Sequence, residues 1–280
     1  MNKTDILESL TNDCFIVFCR IIIINTKKLF SEADVLAFAS RLVRYYDSQF
    51  GENIDEVIKQ YDSLLCELKF ILRILREKQK VQWLEGGKRL REAIGIKGSS
   101  RIDFLVADER TCEITSAKEL PGYYGEDSTE DEGSLEMVDI GQIKPKLISL
   151  IEQKLEGKLR IGGKEGQIGK FLKNNPDKKV NLIVYLPESC NKKLVYEAIV
   201  GEYCLESDNS RKRVRLKNTG RIMKKNVTKL NPLFSLIKKY FSKVKFIFIS
   251  RFGDKIYHIE KSGTEYSLSE SPTLYEILIK

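Results

Sequence analysis

Apolar residues in the N-terminal third recur at helical spacing. Ile54, Ile58, Tyr61, Leu65, Leu68, Leu72 and Leu75 form one stripe, alternately three and four residues apart, along a long helix. Asn53-Ile54-Asp55-Glu56 has the form of a capping box at its start. Gly86-Gly87 predicts that the helix ends before that pair. The stripe either packs within its own domain or makes the seam of a homodimer through the 54–84 helix. Ser31, followed by Glu32 and Asp34, marks another helix start. The longest apolar run, Cys14 to Ile24, is interrupted by Arg20 and is too short to span a bilayer. It lacks the basic start and small-residue cleavage site of a signal peptide, and reads as a buried strand or a short core helix. A further short helix is expected over 88–94, with Gly95 and Gly98 breaking the chain after it.

The period then changes from helical to alternating. Ile102, Phe104 and Val106 share one face of a strand, Asp108–Arg110 offers a tight turn, and Thr111–Ala117 returns, giving a hairpin. An acidic, Gly- and Ser-containing loop over 119–136 follows, then a helix from Pro145 to Glu156, with the proline suited to its first turn. The Gly-rich stretch 157–169 lacks the spacing and terminal Lys-Ser/Thr of a phosphate-binding loop and reads as a flexible connector. It leads into a short helix ending at Asn174-Asn175-Pro176. Asn181–Leu186 and Lys245–Ser250 read as strands, Lys192–Leu205 and Leu233–Phe241 as helices, and 255–259 and 273–280 carry weaker signals. The expected fold is α/β, a mixed sheet flanked by helices and preceded by a helical N-terminal region.

Composition refines this outline. With 280 residues, 42% of them hydrophobic and 31% charged, the chain can fill a sizeable core. Six cysteines without a Cys-x-x-Cys pair point to free thiols in a reducing, cytoplasmic setting. A single histidine, His258, argues against a histidine-rich zinc site or a histidine-dependent triad. The net charge of +8 is unevenly spread: Arg211–Lys245 holds 13 Lys and Arg and no acid, against 35 basic and 40 acidic groups elsewhere. Such a block repels itself unless an anion compensates it. The expected partner is nucleic acid, DNA before RNA, and not a membrane. The candidate contacts are Arg211, Lys212, Arg213, Arg215, Lys217, Arg221, Lys224 and Lys225.

On the hairpin, Asp103 lies on the first strand and Glu113 on the second, with Lys118 just beyond. Arg101-Ile-Asp103-Phe-Leu-Val and Cys112-Glu113-Ile-Thr-Ser-Ala-Lys118 resemble the motif of the PD-(D/E)XK nuclease superfamily, the restriction-endonuclease-like fold. The resemblance covers roughly 85–205. It implies Asp103 and Glu113 as ligands of Mg²⁺ (or Mn²⁺) and Lys118 as the catalytic lysine. Glu92 or Glu85 would be an assisting acid from the preceding helix, and Gln142 an auxiliary contact. This sequence departs from the pattern in one respect. The family places its lysine two residues after the glutamate, where Thr115 stands. A bulge near Ser116 would restore Lys118 to the correct face; otherwise the lysine comes from elsewhere, or the site is degenerate. The implied organisation is a mainly helical region 1–84, a nuclease-like α/β core 85–205, and a basic C-terminal extension 206–280 with a helix and strands. The implied activity is metal-dependent endonucleolytic hydrolysis of DNA, of restriction, mobile-element or toxin type. The alternatives are a non-catalytic nucleic-acid binder with a decayed site and a helical interaction protein.

Overall fold

The computed structural model describes residues 3–51, 53–84, 92, 95–97, 102–117, 150–151, 153–161, 164–186, 237–250, 255–262 and 265–279. Three long helices lead: α1 (Lys3–Ile24), α2 (Glu32–Ser48) and α3 (Ile54–Arg76). The Cys14–Ile24 run is neither a strand nor a short helix but the second half of α1. Leu7, Leu10, Cys14, Val17, Phe18 and Ile21 form its buried face. The outward residues Ile16, Ile22 and Ile23 are also apolar, and this hides the helical period in the sequence.

The foreseen caps are present. Ser31 Oγ accepts a hydrogen bond from the Asp34 amide (3.1 Å) and Asn53 Oδ1 one from the Asp55 amide (2.9 Å). Glu56 pairs with Lys59. The α3 stripe is consumed within the chain: Ile58, Tyr61, Leu65, Leu68, Leu72 and Leu75 are all buried. The helix packs on α1 along one side and on the sheet along the other.

Helix α3 stops at Arg76, well before Gly86. A turn with Lys78 at φ +58° redirects the chain into a short strand, β1 (Val81–Trp83). The β-branched and aromatic residues Val81 and Trp83 suit a sheet better than a continued helix. Next come β2 (Phe104–Val106) and β3 (Arg110–Ser116), the expected antiparallel hairpin. Its turn holds Ala107 and Asp108 both at positive φ, the twist that closes tight hairpins. A helical stretch over 153–159 (α4) runs on past Glu156. The Gly-rich stretch forms a small hairpin, β4 (Arg160–Ile161) paired with β5 (Lys164–Glu165), where a plain connector was expected. Helix α5 (Gln167–Asn174) leads to β6 (Val180–Leu186). After a helical turn at 237–240 follow β7 (Val244–Ser250), β8 (Ile256–Ser262), β9 (Glu265–Ser271) and α6 (Leu274–Ile279). Strand β9 has no counterpart in the sequence reading because its polar positions mask the alternation. The elements expected over 119–136 and 192–205 lie outside the described residues.

One seven-stranded mixed sheet runs in the order β1-β2-β3-β6-β7-β8-β9. β3, β6 and β7 are mutually parallel, and the outer pairs are antiparallel. Alternation divides the core in two. Ile183, Tyr185, Ile247 and Ile249 face α1–α3 and α6, while Leu182, Val184, Phe246 and Phe248 face α4, α5 and residue 237. Central strand β6, buried on both faces, reads as a continuous apolar run.

The C-terminal helix is fastened to the end of α3. Glu77 Oε1 accepts from the Leu274 amide (2.9 Å) and Oε2 from the Tyr275 amide (2.7 Å), a cap supplied from almost 200 residues away. Glu77→Ala should cost about 1 kcal/mol in chemical unfolding. In the same variant, hydrogen exchange should speed up at Leu274 and Tyr275 before it does in β6. Unchanged exchange at both amides would mean that packing alone holds α6.

Candidate active site

The β2/β3 ladder pairs Phe104 with Cys112. Asp103 stands one residue beyond that ladder, opposite Glu113. Cys112 and Ile114 belong to the core beneath α1–α3, so Glu113 points the other way, toward α4 and α5. Its carboxylate is fully buried and receives Lys158 from α4, Nζ to Oε1 2.5 Å. Lys158 Nζ also donates to Gln167 Oε1 of α5 (3.2 Å). Asp103 is held by two backbone amides. Its Oδ2 accepts from the Ile114 N–H (2.7 Å) and its carbonyl from the Leu84 N–H (2.9 Å).

Helix α3 contributes a third acid. Glu67, buried mid-helix, is gripped by Arg41 of α2 through a two-pronged contact of 2.7 and 3.0 Å. The Arg41 guanidinium also lies over the rings of Phe38 (5.1 Å), Trp83 (5.5 Å) and Tyr45 (5.9 Å). Burial lowers the proton affinity of this guanidinium, but Glu67 outweighs that effect and holds it charged.

These groups crowd like charges. Burial pushes the Asp103 carboxyl well above the ordinary aspartate value. The charges of Glu113 and Glu67 push it further, against Lys158 and the Ile114 amide. Burial disfavours the Lys158 ammonium, yet Glu113 and Asp103 outweigh it and raise its pKa above the usual lysine value. Two acids, Asp103 and Glu113, thus share the Lys158 ammonium at this site. Among the described residues no three His, Cys, Asp or Glu side chains converge as a ready-made metal cage. Two hard oxygen ligands nevertheless suit Mg²⁺, which retains several waters, and Asp103 and Glu113 fit that donor set.

Asp103 and Glu113 occupy facing positions of the hairpin, and the charge of Glu113 acts on Asp103. Among the described residues the lysine at the carboxylates is Lys158; Lys118 lies outside the described residues, as do Gln142, Glu85 and the block Arg211–Lys225. Thr115 is half-buried on β3, two residues from Glu113. Glu92 is exposed, and the charge of Glu67 on α3 also acts on Asp103. Sequence reading missed Glu67, Arg41, Lys158 and Gln167. Glu67 did leave a signal, being a lone charge inside Leu64-Leu65-Cys66-Glu67-Leu68, three residues after Leu64 and four before Ile71 on a core face. Lys158 left none, because it follows Gly157 in a stretch without clear periodicity.

Cys112 is an inert neighbour, since burial raises its thiol pKa far above the usual range. Comparison of the chain with protein-family models, with curated proteins and with solved structures gives no match.

The raised Asp103 pKa has a consequence for stability. A carboxyl whose folded pKa lies above its unfolded value contributes stability below the unfolded value and loses it as pH rises through the folded one. Without divalent metal, the protein should therefore lose stability as pH rises out of the acidic range. Asp103→Asn should remove that loss and melt higher than wild type at neutral pH in EDTA. Thermal unfolding of both proteins across pH checks this; parallel curves would show that Asp103 is not the group responsible.

Proposed function

We propose that the protein is a metal-dependent endonuclease of restriction-endonuclease-like type, hydrolysing phosphodiester bonds in DNA at Asp103, Glu113 and Lys158. The observation that carries this reading is the Lys158–Glu113 contact beside Asp103. It supplies, from a helix, the lysine that the strand lacks at Thr115. The element order α3-β1-β2-β3-α4-β4-β5-α5-β6, with β3 and β6 parallel, supports the same assignment.

Each residue has work suited to its chemistry. The Asp103 and Glu113 oxygens would hold the cation. Bound Mg²⁺ would activate a water and neutralise charge on the scissile phosphate. The Lys158 ammonium, aimed by Gln167, orients the attacking water and stabilises negative charge developing on the phosphoryl oxygens. Arg41 fixes the Glu67 carboxylate in place through two hydrogen bonds. The acid-free block from Arg211 to Lys245 suits a polyanionic substrate and would give salt-sensitive, largely sequence-independent affinity.

A second reading is a DNA-binding protein with an inert site. The direct Lys158–Glu113 ion pair favours it, since the pair satisfies the carboxylate without a metal.

Cleavage of plasmid DNA in Mg²⁺ and in Mn²⁺ separates the two. Glu113→Gln should abolish nicking, and Lys158→Ala should slow it by roughly 10²–10³-fold, the effect of removing one charge-stabilising donor. DNA binding should be nearly unchanged in both. Thr115→Lys in the Lys158→Ala background should restore part of the rate, because residues 113 and 115 share a strand face. Lys118→Ala should cleave like wild type. Binding without cleavage by wild type in either metal would establish the inert reading.

A further inference from the structure

The described end of the basic block sits against the helix that carries Lys158. Ile237 is buried with Leu155 and Leu159 of α4, and Tyr240 Oη donates to the Leu159 carbonyl (3.3 Å). Lys238 and Lys239 project from this turn into solvent. The Lys239 ammonium lies 5.4 Å from the centre of its neighbour Tyr240. Across from the turn, β8 and β9 bring Lys261 directly opposite Tyr266. The ammonium groups of Lys238 and Lys261 lie 5.9 and 5.8 Å from the Tyr266 ring centre, one from the helical turn and one from the sheet. Phe241 packs edge-on against the same ring at 5.1 Å.

Two ammonium groups from separate elements thus converge on one tyrosine. The face of the Tyr266 ring attracts each of them weakly. Among the described residues neither Lys239 nor Lys261 has an ion-pair partner. An incoming anion would complete the arrangement.

The cluster is also placed to serve the site. Tyr266, Leu268 and Ile259 belong to the core on the α4 side of the sheet, the side to which Glu113 points. From β3 to β9 there are four strand steps, across β6, β7 and β8. At about 4.8 Å per step, with a two-residue offset along the strands, Tyr266 lies about 20 Å from Glu113. Duplex DNA advances 3.4 Å per base pair, so this separation corresponds to about six base pairs.

We propose that Lys238, Lys239 and Lys261, arrayed around Tyr240 and Tyr266, clamp the phosphate backbone of duplex DNA on the face of the sheet that bears Glu113. The choice of DNA rests on the nuclease reading; the clamp itself rests on the convergence of cations. It adds residues beyond Arg211–Lys225 to the proposed DNA contacts. Tyr240 makes the clamp and α4 one rigid support.

The test is a binding titration of the full chain in EDTA, where no cleavage occurs, using a fluorescent duplex of about 30 base pairs at several NaCl concentrations. Wild type is compared with Lys239→Ala/Lys261→Ala and with Lys239→Arg/Lys261→Arg. The log–log salt slope should be shallower by up to about 1.8 in the alanine pair, about 0.9 for each lost contact, and unchanged in the arginine pair. Melting temperatures of the three proteins establish that the fold is intact. An unchanged slope in a folded alanine pair overturns the clamp, as does wild-type binding to anionic lipid vesicles in preference to the duplex. A wild type that binds with this slope change but never cleaves in Mg²⁺ or Mn²⁺ overturns the nuclease reading and leaves the clamp standing. A wild type that cleaves while the slope stays fixed does the reverse.

Discussion

A carboxylate inside a helix that is buried on nearly every side has to be answered by a cation, and Glu67 sets that condition here. Helix α3 lies between α1 and the sheet, with Leu64, Leu65, Cys66 and Leu68 all out of solvent around Glu67. An unpaired charge in that setting is strongly unfavourable. Arg41 meets it with the planar fork that a carboxylate accepts at two points, which a lysine would not reproduce. To deliver that guanidinium, α2 has to lie where Phe38 and Tyr45 cover it, and β1 has to present Trp83. The placement of the second helix and of the sheet's first strand thus follows from one buried charge.

The same electrostatics extend to the hairpin. Asp103 and Glu113 face each other across two strands whose geometry is fixed by ordinary ladder hydrogen bonds and by the tight turn at Ala107-Asp108. Neither carboxylate is placed by a specialised loop. What turns a polar pair into a candidate site is the arrival of Lys158 from α4 and the field of Glu67 from the opposite layer. The buried α3, the hairpin and the crossover helix each contribute one kind of group, and all three rest on rigid secondary structure.

Much of this was legible in the chain. The caps at Ser31 and Asn53, the α3 stripe, the hairpin and strands β6 and β7 follow from local chemistry and period, and they recur in the structure. Where the sequence misled, tertiary burial was the cause. Helix α1 was obscured because its outward face is apolar too, and α3 was overextended because nothing local announces that Val81–Trp83 pairs with β2. The two carboxylates could be named because a short strand–turn–strand brings them together within a dozen residues. Lys158 could not, because its partnership with Glu113 spans 45 residues and depends on how α4 crosses the sheet. Glu67 could have been found by asking why a charge interrupts an apolar stripe.

The central claim is that Asp103 and Glu113 together hold a divalent cation, with Lys158 beside it. A crystal soaked in Mn²⁺ and measured at the manganese absorption edge addresses this directly. The account predicts one anomalous peak bonded to a carboxylate oxygen of each residue, at about 2.2 Å, with the Lys158 ammonium retained nearby but no longer in direct contact with the metal-bound Glu113 oxygen. Full soaking with no peak there, and Lys158 still bonded to Glu113, would contradict it and leave the pair as a structural ion pair.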